Sequence, residues 1–385
     1  MSKVKLGDVA VECRETCKGS KDGYPIVGLE HLVPGEVTLT AWDEAGDTTF
    51  NKMFRKGSVL FGRRRAYLRK AAVAPFDGIC SSDITVIKAN QDRLVPELLP
   101  FIIQNDGLFD FAVGKSAGSL SPRVKWEHLK NYEFELPDDM AKQQELAELL
   151  WAIDATKKSY QRLISATDEL VKSQFMEQFN LDESRCNGWK IMRLKDVVER
   201  PLSGEWGTED KDGTGIKVLR TANFTDAGII DYSEVVTRKI DPKKLESKAM
   251  ETGDILIEKS GGSDTKPVGR VVYYLGEPRE YLFNNFTAII RPKKEMDILK
   301  RYLFEFLFVS YWNGGTRLYE NKTTGLHNLR LNEYLEGTEI PIPPKDVQET
   351  FVAFLAQSDK SKFELKKALS ELTATYKRII KENIG

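Results

Sequence analysis

Between Lys52 and Lys70 the chain carries eight basic residues, Lys52, Arg55, Lys56, Arg63, Arg64, Arg65, Arg69 and Lys70, and no acid. The centre of this run is Gly62-Arg63-Arg64-Arg65-Ala66-Tyr67, directly after an expected strand. Arginine forks pair bidentately with phosphate or with guanine O6 and N7, and a glycine lets a backbone approach closely. A second loop, Gly114-Lys115-Ser116-Ala117-Gly118-Ser119-Leu120-Ser121-Pro122-Arg123, mixes small donors and acceptors with Lys and Arg. That chemistry suits a nucleic-acid backbone and its base edges. Two later loops stand in the same order: Glu258-Lys259-Ser260-Gly261-Gly262-Ser263-Asp264-Thr265-Lys266-Pro267-Val268-Gly269-Arg270, and Glu320-Asn321-Lys322-Thr323-Thr324-Gly325-Leu326-His327-Asn328. A single loop of this kind is usually a solvated turn. Matching pairs in both halves argue for more.

Other chemistries lack their residues. His31, His128 and His327 are far apart, and Cys13-Arg14-Glu15-Thr16-Cys17 has no second pair to complete a four-ligand zinc site. Gly114-Lys115-Ser116 has no glycine five residues upstream of Gly114, and Gly57 to Gly62 runs on into Arg63-Arg64 where a phosphate-binding loop needs Lys-Ser/Thr. Glu364-Leu365-Lys366 has the letters of a nuclease site but falls in a charged helical face. No cofactor fingerprint follows a strand, and no Asn/Asp-Pro-Pro-aromatic tetrapeptide marks an amino-methyltransferase. The chain reads as having no catalytic, metal or cofactor site of its own.

The elements that hold these loops come twice. Val4-Lys5-Leu6-Gly7-Asp8-Val9 returns as Met192-Arg193-Leu194-Lys195-Asp196-Val197, and Lys56-Gly57-Ser58-Val59-Leu60 as Thr252-Gly253-Asp254-Ile255-Leu256. Cys80 to Ile87 returns as Phe283 to Ile290; Leu120, Glu127, Leu129 and Pro137 as Leu326, Glu333, Leu335 and Pro343; Gln143, Leu150 and Asp154 as Gln348, Leu355 and Asp359. Five blocks in one order describe a tandem duplication. In each half, short strands such as Ile84-Thr85-Val86-Ile87, Val271-Val272-Tyr273-Tyr274 and Thr287-Ala288-Ile289-Ile290 precede helical stretches, Leu98 to Phe111 and Leu299 to Trp312.

Proline breaks, Leu136-Pro137-Asp138-Asp139 and Ile340-Pro341-Ile342-Pro343-Pro344, then open a long helix in each half. No Gly or Pro interrupts Met140 to Phe179, and Leu146, Leu149, Leu150, Ile153, Tyr160, Leu163, Leu170 and Val171 make a broad apolar stripe. The second copy gives Phe351, Leu355, Leu365, Leu372 and Ile379, with Asp346 and Glu349 expected to cap its start. Such helices are about 60 Å long, at about 1.5 Å per residue. The expected solution is that the two pair as an antiparallel coiled coil, with Thr167, Ser358 and Lys362 making the seam imperfect.

Composition bounds the rest. With 385 residues, 41% hydrophobic and 30% charged, two domains with real cores are expected. The balance of 57 Lys+Arg against 58 Asp+Glu excludes a globally basic coat, so this chain alone is expected to bind nucleic acid modestly. No apolar run approaches a membrane span, Met1-Ser2-Lys3-Val4-Lys5 leads into polar sequence, and four scattered cysteines suit a reducing compartment, so a cytoplasmic protein is expected.

Taken together, the ordered duplication, the Lys/Thr-Gly-Ser/Asp-Val/Ile-Leu lead into a Gly/Arg/Ser loop and the later Gly-Ser-Leu-Ser-Pro-Arg loop resemble the specificity subunits of type I restriction-modification systems over essentially the whole chain. The usual Pro-Pro-Leu-x-Glu-Gln helix start is altered to Leu136-Pro137-Asp138 with Gln143-Gln144, and to Pro343-Pro344-Lys345 with Val347-Gln348.

The resemblance implies an α+β fold of two tandem pseudo-repeats. Residues 1–139 would form one target-recognition domain and 140–180 a spacer helix; residues 181–345 and 346–385 would repeat the plan. Each domain would read one half of a split, asymmetric sequence in double-stranded DNA, with the paired helices setting the gap and docking methyltransferase subunits and, where the system cleaves, restriction subunits. S-adenosylmethionine, ATP and Mg would sit on those partners. The expected DNA contacts are Arg63, Arg64, Arg65, Tyr67, Lys115, Ser119, Ser121 and Arg123 in the first half, and Lys259, Ser260, Lys266, Arg270, Lys322, Thr323 and Thr324 in the second. Leu149, Ile153, Tyr160, Leu355, Leu365 and Leu372 are the expected partner contacts. Three other readings fit the residues: an enzyme with diverged motifs, a coiled-coil adaptor that binds protein, and the DNA-binding subunit of a methylation-only or other defence assembly.

Overall fold

The computed structural model describes residues 1–385 apart from Ala45, Asp47, Ser119, Thr324 and Gly325, and leaves the side chains of Glu183, Cys186 and Thr323 undescribed. The chain forms two compact units: Met1–Leu163 with Glu364–Gly385, and Ile164–Phe363. The units do not follow the linear repeats, because each contains part of both long helices, Met140–Phe179 and Lys345–Ile384.

In the first unit a four-stranded antiparallel sheet has the order Ala10–Cys13, Ile84–Ala89, Val59–Gly62, Ala71–Val73. Its central strands are apolar at consecutive positions, which is what burial on both faces requires. The alternation then divides them. Val59, Phe61 and Ile87 enter one core with Phe101, Ile102 and Phe109, while Leu60, Ile84 and Val86 enter another with Val27, Leu32 and Phe54. A second, small sheet runs Ile26–Val27 parallel to Gly78–Cys80, which also pairs with Lys52–Phe54.

The helical stretch expected over Leu98 to Phe111 is broken into Leu99–Ile103 and Asp106–Gly114. Asn105 is the reason: its Oδ1 accepts from Gly107 N–H at 2.8 Å as an N-cap, and its Nδ2 donates to the Ile384 carbonyl at 2.7 Å. The second unit lacks that polar interruption, and Lys300–Trp312 is continuous.

The second unit repeats the main sheet as Leu202–Ser203, Thr287–Ile290, Ile255–Glu258, Val271–Tyr273. Ile255, Ile257 and Ile290 face one core; Leu256 and Ile289 face the other. Gly57 and Gly253 hold matching turns at φ 81° and 86° before the central strand, a conformation that favours glycine. The small sheets differ. Here Ile216–Leu219 runs parallel to Leu282–Phe283, and its other edge carries Val236–Lys239 and then Thr208–Glu209. Both globules close with the same ribbon, Ser2–Lys5 against Glu133–Leu136 and Lys190–Arg193 against Glu339–Ile342.

The long helices start as proline dictates. Asp139 Oδ1 accepts from Ala141 N–H at 2.9 Å, capping the first. In the second, the Pro344 carbonyl accepts from Val347 and Gln348. Asp346 lies inside the first turn and not at the cap, where its charge still suits the positive end of the helix.

Within the first unit the Lys157 ammonium stands 4.9 Å from the Tyr376 ring centre, while Leu146 and Leu150 share a core with Ile380 and Ile384. Within the second, Phe175 and Phe179 pack edge-to-face on Phe351, ring centres 5.6 and 5.0 Å apart, and Asp168 meets Lys362 at 2.9 Å. Numbers rise along one helix as they fall along the other, so the paired segments are antiparallel. The seam is imperfect at Lys362, which is held by Asp168 and Asp359. Among the described residues no helix is long and apolar enough to cross a membrane.

Candidate nucleic-acid interface

The basic run that is free of acid in sequence is not free of it in space. Lys52 turns inward, its Nζ donating to the Ile84 carbonyl at 2.8 Å near Glu12, and burial lowers its pKa. Arg55 is held by Glu15 and Asp77, Arg69 by Asp106 and Asp110, and Lys70 donates to the Leu29 carbonyl. Gly62 is also not where sequence placed its use. Its N–H donates to the Lys70 carbonyl at 2.9 Å, and a Cβ would meet that carbonyl oxygen at 3.1 Å, so the close approach it permits is internal.

What remains is the exposed Lys56 and the run Arg63, Arg64 and Arg65, and at that run two loops are zipped together. Arg63 N–H donates to the Asp83 carbonyl at 3.0 Å, and the Arg63 carbonyl accepts from Val124 N–H at 3.0 Å. Arg64 faces Arg123 across an antiparallel bridge, and Arg65 N–H donates to the Pro122 carbonyl at 2.8 Å. Beyond them, Ala66–Leu68 makes one 3₁₀ turn with Ala66 buried and Tyr67 and Leu68 exposed. Arg65 and Arg69 flank the turn in the left-handed region, φ 53° and 52°, which costs roughly 1–2 kcal/mol per non-glycine residue. The loop–loop hydrogen bonds hold Arg65 there, solvent-exposed at the rim.

Asp83 organises this head. Arg123 donates to it from Nε at 2.7 Å and Nη2 at 3.4 Å; Arg64 donates from Nη1 at 3.4 Å, and from Nε to Ser121 Oγ at 2.6 Å. Burial pushes the Asp83 carboxyl up, but Arg123 and Arg64 together hold it below its usual range. The two arginine side chains stay about 40% exposed, at 42% and 38%, over a carboxylate that is 17% exposed. Arg63 is half-buried, with Nε enclosed and without a hydrogen-bond partner. Lys115 is exposed at the end of helix Asp106–Gly114, its Nζ 5.7 Å from the Phe111 ring centre. Ser119 lies outside the described residues.

The second unit makes the same crossing with other side chains. Lys259 N–H donates to the Phe286 carbonyl at 2.7 Å, the Lys259 carbonyl accepts from Leu329 N–H at 2.8 Å, and Ser260 pairs with Asn328. Residue by residue, Arg63, Arg64, Asp83, Arg123 and Val124 correspond to Lys259, Ser260, Phe286, Asn328 and Leu329. Where the first head has a carboxylate between arginines, the second has an exposed Phe286 beside a serine and an asparagine.

Lys259 Nζ donates to Ser203 Oγ at 2.6 Å, and burial lowers its pKa. Lys266 pairs with Asp226 at 2.6 Å, and Lys322 with Asp264; both lysines are exposed. Arg270 is a different case. Its guanidinium donates to Glu258 at 3.0 and 3.2 Å and to the Phe224 and Thr221 carbonyls, so it staples strands inside the unit and is not presented at the surface. Thr324 and the Thr323 side chain lie outside the described residues.

Sequence reasoning did not single out Asp83, Phe286 or Asn328, because only the loop crossing brings them beside the basic residues. Trp206, also not singled out, lies 4.3 Å from the Arg238 guanidinium, ring centre to Cζ. Among the expected partner contacts, Leu355 is 2% exposed and Ile153 7%, so both are packed inside their own units; Tyr160, Leu365 and Leu372 are partly exposed and Leu149 is 47% exposed.

Comparison with known proteins fits this geometry. Residues 187–373 match the family model described as Type I restriction modification DNA specificity domain. A search of curated proteins gives no match. A solved structure from work on the "complex assembly and conformational transition of the type I R-M system" is 20% identical, with a TM-score of 0.61 over 98% of this chain and 96% of that one. The crystal structure of a type-I restriction-modification system S subunit from M. genitalium is 14% identical, with a TM-score of 0.59 over 100% of this chain and 96% of that one. At these identities the likeness is one of fold.

Proposed function

We propose, for a chain that carries a type I restriction-modification DNA specificity domain and has the fold of an S subunit, that it reads an asymmetric two-part target in double-stranded DNA, one part with each unit. The observation that carries this is the loop crossing made twice with unlike side chains: Arg64, Asp83 and Arg123 in one unit, Ser260, Phe286 and Asn328 in the other. Equal backbones with unequal donors and acceptors read different base pairs, since sequence is read by hydrogen bonds and apolar contacts at base edges. Exposed Lys115, Lys266 and Lys322 would neutralise phosphate, which sets affinity more than specificity.

In this reading the chain is a specificity subunit without catalysis of its own that works in an assembly, as the DNA specificity domain it matches and its fold support. In this reading, methyltransferase subunits supply adenine methylation with S-adenosylmethionine, and a restriction subunit, where present, supplies ATP- and Mg-dependent cleavage. Leu149 and the partly exposed Tyr160, Leu365 and Leu372 support docking along the helices.

Methylome sequencing of a host expressing this chain with its methyltransferase partner tests the reading. The expected result is modified adenines in two specified segments separated by unspecified base pairs. Methylation in one uninterrupted motif, methyl transfer or DNA cleavage by the purified chain alone, or a complex that protects no sequence would overturn it.

A further inference from the structure

A carboxylate at a surface that meets DNA repels phosphate, and Asp83 sits in the middle of such a surface. With both arginines about 40% exposed, such ion pairs contribute only about 0–1 kcal/mol each to stability, so folding alone does not account for it. Its geometry does. The Asp83 backbone is pinned from both sides, its N–H donating to Ser81 Oγ at 3.2 Å and its carbonyl accepting from Arg63. The carboxylate is therefore a fixed post at the start of strand Ile84–Ala89.

The post takes one edge of each guanidinium. Arg123 commits Nε and Nη2, the side-on edge, at 2.7 and 3.4 Å. Its end-on edge, Nη1 with the second Nη2 proton, is the edge left for a ligand. Arg64 is oriented by two partners, Ser121 Oγ on Nε and Asp83 on Nη1. Two long side chains that would otherwise sample many rotamers are thus held in place, about 40% exposed, with N–H donors to spare. A forked pair of N–H donors matches O6 and N7 of guanine in the major groove better than any other base edge. The second unit has Phe286 at the equivalent position, with no carboxylate to orient a guanidinium and Ser260 and Asn328 in place of the arginines.

We propose that Asp83 is the specificity-positioning residue of the first unit, holding Arg64 and Arg123 so that the free end-on edge of Arg123 reads a guanine in that unit's half of the target. This rests on the DNA-reading function proposed above. Losing the carboxylate has opposite effects on two quantities. Phosphate attraction rises because a negative charge is gone, while base discrimination falls because the arginines are no longer aimed. A purely structural role would lower both together.

The test uses the full chain assembled with its methyltransferase subunits and a randomised duplex DNA library, comparing wild type, Asp83→Asn and Arg123→Ala. Wild type should enrich two segments, and Arg123→Ala should erase a G·C preference in one of them. Asp83→Asn should lower preference at the same position about tenfold, leave the other segment intact, and bind random-sequence duplex at least as tightly as wild type. The intact second segment reports that the variant is folded. The proposal is overturned if Asp83→Asn keeps the preference that Arg123→Ala erases, if that position is not G·C, or if both segments and random duplex weaken together. If wild type enriches no two-part motif, the DNA-reading function itself fails, and this inference with it.

Discussion

Gln143 and Gln348 make the same three hydrogen bonds in the two halves of the chain. Gln143 Oε1 accepts from Val95 N–H at 3.0 Å, and its Nε2 donates to the carbonyls of Pro137 at 2.8 Å and Arg93 at 3.4 Å. Gln348 accepts from Leu299 N–H at 2.8 Å and donates to Pro343 at 2.8 Å and Asp297 at 2.9 Å. Both side chains are buried, each bolting the first turn of a long helix to the loop before the globule's helices. Gln→Ala at either site strands one N–H and at least one carbonyl, each costing about 1–3 kcal/mol. Urea denaturation should show each variant destabilised by about 2–4 kcal/mol; a change within about 0.5 kcal/mol would mean that water replaces the bolt.

Glu305 predicts a pH dependence of stability. Burial raises its carboxyl to about 7, with Arg301 opposing and Asp359 adding to the rise. The unfolded chain releases this proton near pH 4.3, the folded one near 7, so between those values the folded state holds a proton the unfolded state lacks. Stability therefore falls as pH rises through that window, by about 4 kcal/mol, and is level above it. Urea midpoints measured at pH 5 and pH 8 should move more for wild type than for Glu305→Gln; equal movement in the two proteins rules out this source.

Lys115 and Arg64 should separate affinity from specificity. Lys115→Ala should weaken all duplexes alike and lower the slope of log K against log salt by about 1. Arg64→Ala should cost about 1–3 kcal/mol at one segment only. Competition binding over a salt series distinguishes them, and a uniform loss in Arg64→Ala would reassign it to phosphate.

Arg65 is strained in the left-handed region, and glycine adopts that conformation freely. Arg65→Gly should melt at or slightly above the wild-type temperature while binding DNA less tightly. A clear loss of melting temperature would show that the side chain holds the loop.

Leu149 lines a cavity of about 580 Å³ with Met1, Pro137, Leu146 and Ile379, and is half-exposed, whereas its neighbour Leu150 is fully buried. Leu149→Asp should leave thermal unfolding unchanged and reduce co-purification with methyltransferase subunits; Leu150→Asp should unfold the unit. Retained assembly in Leu149→Asp moves the docking surface elsewhere.

Ordered block matches determined the repeating plan, and periodicity the central strands and the two 40-residue helices. Alternation over Val59 to Phe61 and Ile255 to Ile257, and an apolar stripe free of Gly and Pro, are local properties that backbone geometry translates directly. Local sequence did not disclose how the helices are divided between the units, nor why Asn105 breaks the first helical stretch, since its partner is the Ile384 carbonyl at the far end of the chain.

The site divides the same way. Sequence located the loops, because Arg, Lys, Gly and Ser clusters are visible one residue at a time. Only the tertiary structure decided which charges face outward: Glu12, Glu15, Asp77, Asp106 and Asp110 come from distant segments to engage Lys52, Arg55 and Arg69, and Asp83, in the turn before a neighbouring strand, engages Arg64 and Arg123. Coulomb interaction and hydrogen bonding act over a few ångströms of space, and folding, not spacing along the chain, sets which groups fall within that range.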